Sequence, residues 1–430
     1  MSSWARRRLV DRPGFHGWRV VGWTGFIWGL QSLVWFQGYG NLAVRLREEF
    51  GWSKTLFSVG FAATRAESAL LGPPQGMALA RFGVATMMRI GAVLYLIGFL
   101  AMSQVRSQTH FLLALVFIAL GTTLAGFLTL TSATVAWFER KRARAVSYSS
   151  MGFALGGFLG PLLVVAFNLF GWRATMVGAG IAVFAVCWTL APVIGVSRDE
   201  LGQPLDGLSS SQADALPRAE GVQDVHLSAR EAIRTRAFWM IALGHGAALL
   251  VVSAVMAHLT LYLTEDLNYT AGGAAVVAGL VPVFQLVGTW LGGQLGDRFR
   301  KRSIAAVAMV GHGVGLLLLT YATTKLMIGA FVVLHGLAWG TRGPQMSAMR
   351  ADYFGSTSFG TIMGLSSLVT TMGSVAGPIL AGHLADSTGD YQLGFTMLAI
   401  GTILGLTFFL LATPPPSSVG APRTHSGVTR

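Results

Sequence analysis

The sequence is poor in cysteine, in acid and in charge of either sign, and each shortage excludes something. Its one cysteine, Cys187, has no partner, so neither a disulfide framework nor a cysteine metal site can be built from the chain. Charged residues are 11% of the composition against 53% hydrophobic, where soluble domains carry roughly 25% charge. The chain is therefore an integral membrane protein with the lipid bilayer as its main partner. HExxH, GxSxG, GxxxxGK and an aspartate pair at metal-ligand spacing are all missing. No enzyme activity, cofactor or metal is expected.

What the chain has in abundance is apolar length. Runs long enough to span a bilayer as helices lie near 18–42, 55–80, 86–104, 110–137, 145–170, 173–196, 237–263, 271–296, 303–322, 326–350, 359–385 and 391–412. The expected fold is all-α, with about twelve transmembrane helices. The basic start ARRRLVDR precedes a run too long for a signal peptide and lacks a small-residue cleavage site, so it reads as an uncleaved first span.

Acids number 18 and Lys plus Arg 31, for a formal net charge of +13, and the excess is unevenly placed. Arg6, Arg7, Arg8, Arg12, Arg19, Arg81, Arg89, Arg140, Lys141, Arg142, Arg144, Arg298, Arg300, Lys301 and Arg302 fall on one side of the expected spans. The other side holds Arg45, Arg47, Lys54, Arg106, Arg173 and Lys325. Basic residues mark the inner side of a membrane protein, which makes both termini cytoplasmic. No basic stretch alternates with aromatics as a strand-binding surface would, so nucleic acid is not an expected partner.

The chain repeats itself at about half its length. GFLGPLLVVAF (157–167) aligns with GSVAGPILAGH (373–383) when Gly160-Pro161 is set on Gly377-Pro378, and the same shift brings GMALARFG (76–83) onto GQLGDRFR (293–300). Two pseudo-symmetric six-helix bundles follow, residues 1–196 and 236–430. They are joined by a polar linker, 197–235, rich in Gly, Pro, Ser and Asp. Near its end Ser228 and Glu231 have the spacing of a capping box, which predicts a short amphipathic helix before the seventh span.

GGQLGDRFRKR after the eighth span resembles the inter-helix motif of the major facilitator superfamily. The resemblance implies a conformational latch at Asp297 and Arg298, with Arg81 in the first copy, where Ala80 stands in place of the family's aspartate. GFHGWRVVGW, REEFGWSKTLFS, GWRAT, FWMIALGHG, HLTLYL and RGPQMSAMRADYFG further resemble the bacterial branch related to monocarboxylate and oxalate/formate porters. That branch often carries a substrate-contacting arginine in the eighth span, whereas GTWLGGQLGD puts Thr289 in its place. A bacterial inner membrane is the implied location.

Three charges fall at mid-membrane depth, where ionisable groups mark pathways or pair with one another. Arg65 and Glu67 are two apart and point to different faces of one helix, so they cannot pair cleanly. Arg342 is the third. Two arginines converging on a cavity would hold a carboxylate in bidentate geometry, and the alternative is an Arg342–Glu67 bridge that pins two spans together. Glu67 is the proton-coupling candidate. His258, in HLTLYL, is expected to gate first and carry protons second. Trp28, Gln31 and Trp35 are cavity-lining candidates in the first span, against the default of belt and core packing. Arg350 and Asp352 sit at the inner end of the tenth span, where pairing with the basic turn is expected. Glycines and interior prolines (Pro73, Pro74, Pro161, Pro282, Pro344, Pro378) suit two halves that rock about a midplane site. The leading expectation is a secondary transporter of a small organic anion, a carboxylate, by symport with protons or by exchange. An exporter of amphipathic or drug-like compounds is the alternative, and a membrane protein without transport activity comes third.

Overall fold

The computed structural model describes residues 14–36, 38–52, 54–208 and 227–415, and among these there are helices but no strands. In the N-terminal half, α1 runs through His16–Gln31, a π-turn Ser32–Phe36 and Gly38–Phe50. Residues 54–103 form α2 and α3, separated at Gly83, whose φ of 75° only glycine adopts freely. α4 comprises Gln108–Ala125 and Phe127–Val135, α5 Arg142–Phe158 and Gly160–Phe170, and α6 Trp172–Ile194. The C-terminal half holds α7 (Arg236–Glu265), α8 (Ala271–Gly296), α9 (Lys301–Thr320), α10 (Lys325–Phe354) and α11 (Phe359–Thr388), with α12 made of Gln392–Leu404 and Leu406–Leu411.

Among the described residues nine helices are long and apolar enough to cross a membrane, or ten when the bent α5 pair counts as one. One of these spans, Leu70–Ser103, runs through Gly83 from α2 into α3, so two expected spans are counted there as one. The π-turn interrupts α1.

Each half has its own core. One cluster, centred on Trp35, Tyr95, Phe99, Phe111 and Trp137, is built from residues 20–196, and two more fill the other half around Tyr262, Phe331 and Phe395 and around Phe238, Met349 and Phe354. The internal repeat appears in the packing, one helical turn away from the Gly-Pro alignment. Gly152 and Gly156 of α5 press on the backbone of Gly25 and Gly29 of α1, and Gly373 and Gly377 of α11 press in the same way on Gly246 and Leu250 of α7. Gly377 is thus the counterpart of Gly156, and Gly160 meets nothing. A slip of four residues is nearly a full helical turn, so it preserves the apolar pattern from which the alignment was read.

The halves meet at the end that carries the basic turns. There α2 lies on α11, with Gly72 and Gly76 against Gly364 and Gly360, while Gly293 and Gly296 of α8 lie on Ala143, Arg144 and Ser147 of α5. A small apolar cluster, Leu128, Val135, Val146, Ala351, Phe359 and Met363, spans the same seam. The expected capping box forms: Ser228 Oγ accepts from Glu231 N, Ser228 N donates to the Glu231 carboxylate, and the helix Ala229–Ala232 follows.

Candidate functional site

Arg342 is placed by the glycines that precede it on α10. Gly336 and Gly340 leave no room for a Cβ against α8, and the two backbones touch. Thr341 then donates to Gly288 O at 3.1 Å and Gln345 to Gly292 O at 2.7 Å, fixing the register. Between these two anchors the Arg342 side chain is 1% exposed, and its Nε and Nη1 have no hydrogen-bond partner. Its charge reaches His245 on α7, His312 on α9 and His335 on α10. His312 and His335 share a proton between their Nδ1 atoms at 3.2 Å, and the Nε2 of each is buried without a partner. Their pairing depends on α9 packing on α10, which no local sequence pattern encodes.

Across the molecule Glu67 is the matching group on α2. Its Oε2 accepts from Thr123 Oγ1 at 3.2 Å and Ser68 Oγ at 3.3 Å, while Oε1 is buried and unpartnered. Gln75 extends the network to Thr123 O and Thr129 on α4. The Arg342–Glu67 bridge does not form: neither group has an ion-pair partner among the described residues. Arg65 lies on α2, and its side chain is outside the described residues.

The other expected site residues are dispersed. Gln31 is fully buried and donates to Ala125 O at 3.0 Å, inside the N-terminal half. Trp35 is packed in that core against Tyr39 and Phe99. Trp28 is half-buried and stacks on Phe127 at 4.8 Å. Thr289 is buried and donates to Gln285 O, with its backbone against Gly340. His258 has both ring nitrogens occupied: Nε2 donates to Pro378 O and Nδ1 accepts from the Tyr391 hydroxyl, each at 3.0 Å, which ties α7 to α11 and to the start of α12.

The seam at the basic end is closed by charge. Asp352, 2% exposed, ends α10 between Lys301 Nζ at 2.8 Å, from its own half, and Arg142 Nη1 from the other half. Asp297 accepts from Arg144 N at 3.2 Å and faces Arg144 Nε at 3.2 Å. Its carboxyl is pushed up to about 6, because burial outweighs the nearby Arg144 and Lys301. Gln294 adds a bond to the Tyr148 hydroxyl at 2.8 Å. Of the five expected latch residues, then, Asp297 and Asp352 are in ion pairs, and the other three have none among the described residues. Arg298 is exposed, Arg81 is exposed over the Phe82 ring, and Arg350 is buried on Ser366 Oγ and Met346 O. Asp352 was expected to pair with the basic turn, where Lys301 supplies the partner; sequence reading missed Arg142 and Arg144. The signal was there in ERKRAR: every second residue from Arg140 to Arg144 is an arginine, but such a run reads first as an inner-face marker.

Comparison with known proteins puts these features in context. The profile of the Major Facilitator Superfamily matches residues 25–288 and again 241–429. The chain is 26% identical over 315 residues to the hexuronate transporter of Escherichia coli (strain K12), covering 67% of this chain and 70% of that one. It is 25% identical over 373 residues to monocarboxylate transporter 13 of Bos taurus, covering 84% and 81%. The crystal structure of the human organic anion transporter MFSD10 superposes with a TM-score of 0.71 at 16% identity, covering 93% of this chain and 100% of that one. The fucose:proton symporter FucP of E. coli gives 0.69 at 14% identity, covering 92% and 98%.

Proposed function

This chain belongs to the major facilitator superfamily, and we propose that within it the protein moves a small organic anion, a carboxylate, by alternating access of its two halves. The observation that carries this reading is Arg342: a guanidinium enclosed at mid-depth whose Nε and Nη1 lack any acceptor from the protein. A planar fork with two free N–H groups matches the two oxygens of a carboxylate. Buried charge persists only when it is paired or solvated, so the anion supplies what the chain withholds. Two relatives are named for hexuronate and for monocarboxylate, both carboxylates, which supports the same substrate class.

With the basic turns on the cytoplasmic side of a bacterial inner membrane, the halves are joined at the inner face, and substrate enters from outside. Glu67 stands on the opposite half from Arg342 with one free carboxylate oxygen, which suits it to carry the coupling proton. Uptake of L-lactate and D-glucuronate into proteoliposomes tests the anion site. Arg342→Lys keeps the charge but loses the fork, and transport is expected to weaken tenfold or more, about 1.4 kcal/mol. Full activity with lysine would return Arg342 to a structural role, and transport of neutral amphipathic compounds with indifference to carboxylates would replace the substrate class.

A further inference from the structure

The chain does not leave the bundle when α6 ends at Ile194. Gln203 Oε1 accepts from His16 N at 2.8 Å, and Gln203 Nε2 donates to Gly14 O at 3.3 Å, which fastens the segment to the start of α1. Gly207, at φ +67°, passes so close to the Phe15 ring that a Cβ would stand 2.6 Å from it. Between them Asp206 is 4% exposed and adopts φ 57°, ψ 4°, a left-handed conformation that costs a non-glycine residue energy.

That conformation aims the Asp206 carboxylate at the turn between α4 and α5. Oδ2 accepts from Glu139 N at 3.2 Å and Arg140 N at 2.9 Å, Oδ1 accepts from Lys141 N at 3.0 Å, and Asp206 N donates to Trp137 O at 3.1 Å. Lys141 is the N-cap of α5 and offers no side-chain cap of its own, so the acceptor that helix starts usually find locally comes from a distant residue. The next residues are Arg142 and Arg144, the two arginines of the N-terminal half that close the seam on Asp352 and Asp297. In the other half, among the described residues, the end of α10 is met by different contacts: Tyr353 Oη donates to Ala412 O and Leu227 N donates to Phe354 O, each at 3.1 Å.

We propose that Asp206 is a positioning residue of the gate: by binding three consecutive amides of the α4–α5 turn, it holds Arg142 and Arg144 where they reach the opposite half. The start of the inter-half segment, through Asp206 and Gly207, is then part of the gate's machinery, whichever substrate is carried, and the proposal stands apart from the anion reading. Alternating access requires this seam to break and re-form. Loosening the turn should therefore favour the separated state more than it lowers the stability of either half.

The test uses full-length protein in lipid nanodiscs with spin labels at Thr86 and Ser303, exposed sites beside the seam on α3 and α9. Asp206→Gly keeps the left-handed backbone and removes only the carboxylate. The ratio of separated to joined distances is expected to rise tenfold or more. Asp206→Asn keeps one acceptor oxygen and should give a smaller rise, and it serves as the measurement if the glycine variant does not fold. Because Asp206 acts in part through Arg142, the shift in the double variant Asp206→Gly/Arg142→Gln should fall short of the sum of the two single shifts. An unchanged distance distribution in the single variants, or fully additive shifts in the double, would overturn the proposal, whatever the melting temperature does.

Discussion

Arg142→Gln is the sharpest probe of the closed seam, because it removes the contact between halves without stranding its partner. Asp352 keeps Lys301 at 2.8 Å within its own half, so no buried carboxylate is left unpaired. The bond that is lost is charge-assisted and buried, with side chains 7% and 2% exposed. Hydrogen bonds to charged groups net about 1.5 to 3 kcal/mol. When the seam opens Arg142 returns to water and recovers its desolvation, so the lower figure applies, which is about a tenfold change in the ratio of open to closed. A cysteine at Ala351, buried in the apolar cluster across the seam, reports that ratio through its rate of modification by a membrane-impermeant maleimide. The rate should rise about tenfold in Arg142→Gln. Asp352→Asn, by contrast, leaves Arg142 and Lys301 facing each other without their shared carboxylate, at a cost of about 3 to 5 kcal/mol, and is expected to express poorly. A well-folded Arg142→Gln protein with an unchanged labelling rate would refute the reasoning.

The Asp297 carboxyl, at about 6 against an ordinary 3.8, binds its proton more tightly in the joined seam than in water, so its contribution to the joined state is complete below about 3.8 and fades as pH rises through about 6. The closed population should grow on acidification across that window, and Asp297→Asn should flatten the dependence in the same labelling experiment. Gly364→Val should hold the seam apart, since a Cβ there runs into the Gly72 carbonyl and lies 2.7 Å from Pro73 N. Raised labelling at Ala351 together with lost transport is the expected pair of results, and normal transport would show that α2 and α11 can separate at no cost. If Glu67 carries the coupling proton, Glu67→Gln should still exchange substrate between equal pools yet fail to accumulate it along a pH gradient. Gradient-driven accumulation by the folded variant would remove the coupling role.

What the sequence made legible was whatever repeats locally. Apolar runs showed the helices, the half-chain similarity showed the two bundles, and Ser228 with Glu231 marked the start of a helix down to its cap. What it left dark was pairing between distant elements. The basic run before α5 was visible as charge, but its partners Asp297 and Asp352 lie more than 150 residues away, as the 153-residue separation of Arg144 from Asp297 shows. Asp206 was hidden by its neighbours: Gly202, Pro204, Gly207 and the serines after it read as linker, and nothing in that composition separates a slack segment from one whose tight turns aim a carboxylate. Trp35 and Gln31 were legible as unusual residues in a span, but their direction was not, since one helix face looks to the half's own core and another to its partner.

The buried charges fall into two groups, and the difference between them bears on mechanism. At the seam each acid has a basic partner from the opposite half, so both states are tolerable: paired when closed, hydrated when open. Away from the seam, Arg342 and Glu67 belong to different halves and have no ion-pair partner among the described residues. A cost of that kind persists in a native fold where something outside the chain relieves it. On the proposed reading a carboxylate relieves Arg342 and a proton relieves Glu67, and each does so on one half only. Neither ligand alone makes both halves comfortable in an enclosed state. The two together do, which is how binding energy at two sites that never touch becomes a preference for the conformation that encloses them both.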